Sequence, residues 1–301
     1  MNSCQKVFSA CVLALLTQAA FAQVDLGAAS SFAVLSAAPD GGGAVTCTRS
    51  IIDGDVGSSG LPASVTQTDC TINGAIVAPV SARVVDDFND AYDELQAVSQ
   101  CTETFAETSL GDHTFTPGIY CFDAAVTETN SVWTLNGGAT DTWLFKIGNI
   151  GVGALTGTDF SVVMADGGPV PACNVTWWVD AATTMTRGAF NGVILAGAAI
   201  TLEGTVHTAG TPPVETFAGQ ALATAAVTLT DVAFVGCESS GGGGKSKSKC
   251  NQGVGNGPEG CDPGNSNQDG FGSNPFTGSS RSNDELGGTP GNPGRKGGNT
   301  K

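Results

Sequence analysis

The sequence predicts a mainly β fold of the solenoid type, with one long α-helix packed along the side of the β body. Three observations support this prediction. Short segments rich in β-branched and aromatic residues recur between Gly, Asp and Asn, two short motifs repeat at spacings of roughly 20 residues, and one segment changes to helical periodicity. A sandwich of hairpins is the competing architecture, but the Asn-Gly turns expected between its strands are scarce.

Both ends of the chain are predicted to lie outside the folded domain. Residues 1–22 are typical of a secretory signal, with Lys6, an apolar stretch too short to span a bilayer and the cleavage site Ala20-Phe21-Ala22. We therefore expect a secreted protein whose mature chain begins near Gln23, with a retained anchor as the alternative. Residues 238–301 are rich in Gly, Ser and Asn and poor in bulky apolar residues, which predicts a disordered tail.

Residues 23–237 are predicted to form a single domain with a strongly acidic surface. They contain 22 acidic side chains against four basic ones, a net charge of −18. Such a surface repels nucleic acid and anionic lipid, so we expect neither as a partner and no membrane insertion. The simplest interpretation of this acidic charge is that it keeps the protein soluble. Calcium binding is a more specific alternative, but no complete EF-hand loop occurs. No metal ion or other cofactor is predicted.

Eight cysteines remain after the signal, an even number that suggests disulfides in an exported protein. Cys47 with Cys70, and Cys250 with Cys261, are close enough in sequence to form local pairs. The other four would pair among themselves in an order that their spacing does not fix: Cys101, Cys121, Cys173 and Cys237. A zinc site is the alternative, but no Cys-x-x-Cys motif occurs.

The clearest strand predictions are segments of apolar, β-branched and aromatic residues bounded by Gly, Asp or Asn. They span 31–37, 143–148, 160–164 and 174–179. The four tryptophans are interpreted as core or helix-facing residues.

One helix is predicted from Ser81 to about Gln100. Val84, Phe88 and Leu95 fall on one face at helical spacing, and five acidic residues lie mostly on the other. Ser81 is a favourable N-cap residue. The apolar stripe of this helix must therefore lie against the β body.

Two motifs describe that body. Ala-Ala-x-Thr occurs as AAITL at 198–202, AAVTL at 225–229 and, more loosely, AATTM at 181–185. An apolar residue, any residue and then Gly recurs as IDGDVGS, INGAIVA, FNGVILA and FAGQALA. Regular recurrence of such short β units is typical of stacked coils.

Strand alternation predicts what the Ala-Ala-x-Thr repeat displays. If Ile200 and Leu202 point inwards, Ala199 and Thr201 point outwards, and the other copies agree. The predicted outward residues are Ala182, Thr184, Thr186, Ala199, Thr201, Ala226, Thr228 and Thr230, interrupted by Glu203. A flat lattice of methyl and hydroxyl groups suits a flat, periodic ligand, such as ice or a crystalline polysaccharide. The alternative is that Thr and Ala only decorate a solenoid wall.

The order of several motifs resembles that of a known family. They include LGAASSFAVLSA (26–37), GDVGSS (54–59), AYDEL (91–95), TPGIYCF (116–122), WLFKIG, ACNVTWWV (172–179), FNGVILAGAAITL and AGQALATAAVTL. On these residues the chain resembles the DUF3494 family of microbial ice-binding proteins, the IBP-1-like antifreeze proteins, over most of residues 26–236.

The resemblance implies a three-faced, right-handed β-helix with coils stacked out of sequence order and a long helix along its side. It also implies adsorption to ice through one flat face, with thermal hysteresis and inhibition of recrystallisation. Several family members carry Thr-Ala-x-Thr on that face. Here Ala181, Ala198 and Ala225 replace the first Thr. The lost hydroxyl column predicts a flatter, more apolar face, and the N-terminal coils remain unassigned.

Two other classes of function compete with a secreted, monomeric ice-binding protein. An enzyme is not predicted, because His113 and His207 belong to no metal or triad motif and the domain has few basic residues. A surface adhesin or matrix protein fits the signal and the tail equally well, and the tail is a candidate for attachment to the cell surface.

Overall fold

The computed structural model describes residues 24–207, 213 and 215–237. The predicted signal, the predicted tail and the expected Cys250–Cys261 pair lie outside these residues.

The described chain contains one α-helix, α1, spanning Ala82–Ala97, and 22 strands. In chain order the strands are β1 Phe32–Ser36, β2 Val45–Thr48, β3 Ile51–Asp53, β4 Asp55–Ser58, β5 Val65–Thr68, β6 Thr71–Ile72, β7 Ile76–Val77, β8 Glu103–Phe105, β9 His113–Phe115, β10 Gly118–Phe122, β11 Val126–Thr129, β12 Val132–Leu135, β13 Trp143–Ile147, β14 Leu155–Thr158, β15 Ser161–Met164, β16 Val175–Val179, β17 Thr183–Thr186, β18 Asn191–Ala196, β19 Ile200–Glu203, β20 Thr216–Ala223, β21 Val227–Thr230 and β22 Ala233–Gly236.

The strands form a β-solenoid. They assemble into sheets of twelve, seven and three strands, and successive strands such as β10, β11 and β12 enter the three sheets in turn. Every strand pairing among the described residues is parallel; examples are β10 with β13, β11 with β14 and β12 with β15. This confirms the predicted solenoid and rules out hairpin pairing for these strands.

The coils stack out of sequence order. In the seven-stranded sheet the order is β11-β14-β17-β19-β21-β2-β5, so the last coil of the domain pairs with the first. Val45 in β2 lies opposite Val227 in β21, and Val34 in β1 lies opposite Ala221 in β20. The chain therefore begins in the middle of the stack, builds towards one end through β7, and continues after α1 from the other end at β8.

Helix α1 covers a column of side chains on the twelve-stranded sheet. Its buried residues are Val84, Phe88, Ala91 and Leu95. The column beneath is Leu35, Leu222, Leu195, Trp178 and Lys146, one from each of five neighbouring strands. Sixteen helical residues span about 24 Å, which is long enough to cover five rungs spaced about 4.8 Å apart. The predicted amphipathic helix is thus confirmed, with its apolar stripe against the β body.

The helix ends at Ala97, three residues before the predicted end. Lys146 Nζ donates hydrogen bonds to the carbonyl oxygens of Gln96 at 2.6 Å and Val98 at 2.7 Å. These bonds satisfy acceptors that the last helical turn leaves without backbone partners. Burial lowers the pKa of Lys146, whose ammonium lies 5.3 Å from the ring centroid of Trp178. A tertiary contact that the local sequence does not encode therefore stabilises the end of the helix.

The interior of the solenoid is filled by aromatic rings. Trp133, Trp143 and Trp177 are fully buried there, and the centroids of Phe145 and Trp177 are 4.3 Å apart. Trp178 faces the helix instead, and its indole nitrogen donates to the carbonyl oxygen of Tyr92. The prediction that these tryptophans are core or helix-facing is confirmed.

Among the described residues, three disulfides join neighbouring parts of the stack. They are Cys47–Cys70, Cys101–Cys121 and Cys173–Cys237. The first is the local pair expected from spacing, and the other two resolve the pairing that the sequence left open.

The apolar-x-Gly motif marks the corner at which the chain turns onto the helix-covered side. Gly54, Gly192 and Gly219 have φ angles of 144°, 136° and 140°, in a region that favours glycine. Gly192 and Gly219 lie opposite each other in β18 and β20. A Cβ added to Gly219 would lie 1.8 Å from the carbonyl oxygen of Gly192. Glycine recurs here because the neighbouring coil leaves no space for a side chain.

Gly219→Ala is expected to lower the free energy of unfolding by at least about 3 kcal/mol, because the backbone of the next coil must move. Gly111→Ala is the matched control: Gly111 also has a positive φ, 63°, but an added Cβ would meet nothing within 4 Å. Its cost should be only about 1–2 kcal/mol, the strain of a left-handed backbone at a residue that has a Cβ. Urea unfolding of both variants measures the difference, and equal costs would contradict the packing explanation.

Candidate functional site

The outer surface of the seven-stranded sheet is the candidate functional site, and we call it the threonine face. Residues in six of the seven strands alternate between buried and more exposed positions. β5, the last strand of the sheet, keeps the same register but is covered on one side only, so Val65 alone is partly buried. The inward side chains in the central rungs, such as Ile200, Leu202 and Val227, are fully buried. The outward side chains are half-buried or exposed.

The register of these strands forms two outward columns. The first column is Thr at every rung: Thr127, Thr156, Thr184, Thr201, Thr228, Thr46 and Thr66. The second column is Thr at six of the seven rungs: Thr129, Thr158, Thr186, Glu203, Thr230, Thr48 and Thr68.

A row of small residues precedes the first column. Backbone hydrogen bonds from Thr183 to Ala199 and from Ile200 to Ala226 continue the register one residue before the strands begin. The row is Ala125, Ala154, Ala182, Ala199, Ala226, Ala44 and Ser64, each directly before its strand. The repeating unit of the face is therefore Ala-x-Thr-x-Thr, with Ser or Glu as the two departures.

The structure brings all eight predicted site residues onto this face. Sequence reasoning found five of the thirteen column threonines and missed the eight in β11, β14, β2 and β5. Those strands read VTET, LTGT, VTCT and VTQT, so a search for Thr at alternate positions would have found them. The copy in β11 has Ala-Ala-x-Thr but is followed by Glu128, where the recognised copies have a bulky apolar residue. The other three strands lack the full Ala-Ala pair, and β2 and β5 belong to the unassigned N-terminal coils.

The face is stiff and regularly spaced. Rungs in a sheet lie about 4.8 Å apart, and alternate residues along a strand lie about 6.7 Å apart. Thr is restricted at χ1 by its branched Cβ, so its methyl and hydroxyl groups keep this spacing. Thr66 Oγ1 lies 3.3 Å from Thr46 Oγ1 in the neighbouring rung. The result is a flat two-dimensional lattice rather than a cleft.

A charged edge borders the second column. The residue after each strand has a left-handed backbone in six of the seven rungs: Asn130, Asp159, Arg187, Asp231, Arg49 and Asp69. Arg187 binds the carboxylate of Asp159 through two hydrogen bonds of 2.8 and 2.7 Å, and Arg49 binds Asp231 in the same way. Four of the charged side chains at this edge are therefore paired between neighbouring rungs and held beside the face.

In the described part of the chain, no three His, Cys, Asp or Glu side chains are grouped as a metal ion would require. Within the same residues, no helix is both long and apolar enough to cross a membrane.

A family described as Ice-binding-like matches residues 40–234 of the sequence. The chain belongs to this family. The resemblance drawn from the sequence motifs is thereby confirmed. The match covers every rung of the threonine face, since the strands of that face all lie between Val45 and Thr230.

Similar proteins share both sequence and fold. Ice-binding protein K3-B1 from Typhula ishikariensis is 30% identical over 204 residues, covering 59% of this chain and 79% of that protein. The crystal structure of an ice-binding protein from the Antarctic ascomycete Antarctomyces psychrotrophicus is 30% identical with a TM-score of 0.55, covering 70% of this chain and 96% of that one. An ice-binding protein from an Antarctic Biological Consortium has a TM-score of 0.59 at 25% identity, covering 72% and 92%.

The ion pair at the edge of the face should make stability depend on pH. The hydrogen bonds from Arg49 hold the pKa of Asp231 below its ordinary value of 3.8. A carboxyl whose folded pKa is depressed stabilises the fold above its unfolded pKa, and this contribution is lost as pH falls through the folded pKa. Asp231→Asn should therefore be less stable than wild type at about pH 5 and above, where the carboxylate is ionised, binds Arg49 and also lies 3.1 Å from His207 Nδ1.

Below about pH 4 the difference in free energy of unfolding between wild type and Asp231→Asn should shrink. Urea unfolding between pH 7 and 2 measures it. Asp90→Asn, on the exposed surface of α1, is the control and should track the wild type. A difference that stays constant to pH 2 would show that the ion pair is not its source.

Proposed function

We propose that this protein adsorbs to ice through the threonine face and thereby inhibits ice growth and recrystallisation. The observation that supports this most directly is the first column: seven threonines in continuous register, each contributed by a different coil. A repeated, rigid array can hold ordered water over its whole area, whereas isolated surface threonines cannot.

The chemistry of the face favours ice over other partners. Protein partners are usually anchored by large Trp, Tyr or Arg side chains in pockets, and the two columns contain none. Small molecules bind in concave sites, whereas this surface is a flat sheet. Thr presents a methyl group that contacts water without binding it and a hydroxyl that can join a hydrogen-bonded lattice. The relatives named above as ice-binding proteins support the same proposal.

The Ala row is part of the proposed contact. Ala182, Ala199 and Ala226 are half-buried and lie beside the first column. Methyl groups of this size leave the surface flat, so water can approach both the Ala row and the Thr columns. The residues that replace the first Thr of the family repeat, Ala181, Ala198 and Ala225, lie one position earlier and are also half-buried.

The cellular setting of the proposed function follows from the sequence. We propose that residues 1–22 are removed during export and that residues 23–237 act as a monomeric ice-binding domain. Residues 238–301 would then be a tail outside this domain, with attachment to the cell surface as its proposed role. No catalytic step or cofactor is part of this proposal.

Bulky substitutions on the threonine face should reduce thermal hysteresis to less than about half, because one large side chain holds the flat surface away from ice. Thr201→Tyr and Thr228→Tyr test the coils predicted from sequence, and Thr46→Tyr tests the N-terminal coil that only the structure adds. Nanolitre osmometry measures hysteresis at matched protein concentrations, and circular dichroism confirms folding.

Thr114→Tyr is the matched control, since Thr114 is exposed in β9 of the three-stranded sheet. It should retain the hysteresis of the wild type. Full activity in all three threonine-face variants would place the contact on another surface.

The isolated domain, residues 23–237, should retain thermal hysteresis and recrystallisation inhibition equal to those of the mature chain, because all seven rungs lie within it. Both assays on the two proteins at equal molar concentration test this. A folded domain with no activity would mean that the tail takes part in ice binding.

A further inference from the structure

Glu203 is the only residue other than Thr in the second column of the threonine face. It occupies the fourth of seven rungs, and Thr186 and Thr230 lie directly opposite it in the neighbouring strands. Its side chain is exposed, whereas those of Thr186 and Thr230 are half-buried. It therefore stands at the centre of the column and extends further into solvent than its neighbours.

The nearby basic residue does not neutralise Glu203 by a direct ion pair. The guanidinium of Arg187 instead binds the carboxylate of Asp159 at 2.7 Å. The backbone amide of Arg187 donates a hydrogen bond to the backbone carbonyl oxygen of Glu203 at 2.7 Å. Among the described residues, no ion pair within 4.0 Å includes the Glu203 carboxylate. The Glu203 charge is near enough to help raise the pKa of Arg187, but its side chain is exposed to water on the same side as the threonine hydroxyls.

Two physical properties of this side chain oppose flat contact with ice. A carboxylate binds water strongly and accepts hydrogen bonds without donating any, so it orders its own hydration shell rather than extending a lattice of water molecules. Glutamate is also longer than threonine, and its charged end reaches beyond the plane of the neighbouring hydroxyls. Close approach at this rung requires removal of water from the charge or bending of the side chain out of the contact.

The second column is consequently divided. It has an uninterrupted run of three threonines on each side of Glu203, ending at Thr186 and beginning again at Thr230. The first column is continuous over all seven rungs. The continuous part of the face is therefore narrower than the fold allows.

We infer that Glu203 limits the strength of ice adsorption, and that the carboxylate at this one position determines how much of the threonine face contacts ice at once. This inference rests on the proposed function. The backbone already provides an outward position at every rung of the second column, because the register on both sides of Glu203 is unbroken. Strong adsorption is therefore restrained by a single side chain and not by the fold.

The test is a gain of function. Glu203→Thr should raise thermal hysteresis about twofold over the wild type at equal concentration, since it removes the polar group that is imperfectly paired in the contact. Glu203→Gln removes the charge but keeps the length, and should give a value between wild type and Glu203→Thr. Both variants should unfold at the wild-type urea concentration or above, because Thr is favourable in strands.

Glu103→Thr is the matched control, because Glu103 is also exposed and lies in a strand, β8, outside the seven-stranded sheet. It should leave hysteresis unchanged. Because both variants change the net charge equally, the comparison shows whether the position of the removed charge matters. Hysteresis of Glu203→Thr equal to or below that of the wild type would overturn the inference.

Thr201→Tyr measured in the same series distinguishes this failure from failure of the proposed function. If Thr201→Tyr lowers hysteresis while Glu203→Thr leaves it unchanged, the threonine face binds ice and Glu203 does not limit it. If neither variant changes hysteresis, the ice contact lies elsewhere and both statements fail.

Discussion

The parallel register between coils is the constraint on which the rest of this structure depends. Each rung fixes the next by backbone hydrogen bonds, so a residue at one position of a coil meets the equivalent residue of its neighbour. Because side chains alternate, one register places Thr outside in all seven rungs and buried residues inside in all but the terminal rung of β5. A slip of one residue in any coil would turn its threonines inwards, so the core and the face are specified together.

The same constraint explains why helix α1 is needed. The first coil of the chain pairs with the last, through β1 with β20 and β2 with β21, and the chain must then cross to the opposite end of the stack. A helix covers about 24 Å with its own backbone bonds satisfied and lays an apolar stripe over the sheet. Lys146, from within that sheet, holds the end of the helix. Helix α1 therefore both connects the two ends of the stack and covers the hydrophobic surface of the sheet.

Charge is distributed so that the threonine face stays nearly neutral. Many acidic residues of the domain lie on the outer surface of α1 and in the loops, where water can solvate them. Glu128 and Asp231 are buried instead, and their carboxylates are hydrogen-bonded within the protein. At the border of the face, the arginines at 49 and 187 bind carboxylates of neighbouring rungs. Glu203 is the exception on the two columns themselves. This separation keeps the threonine face weakly polar.

The sequence by itself determined the local features. Helical spacing placed Val84, Phe88 and Leu95 on one face, and strand alternation placed Thr184, Thr201 and Thr228 outwards, because both periodicities are properties of a single segment. Only the tertiary structure decided that Thr46 lies beside Thr228, 182 residues away, and that Lys146 ends the helix. Backbone hydrogen bonds between coils distant in sequence select these neighbours, and no local pattern records which coil will be adjacent.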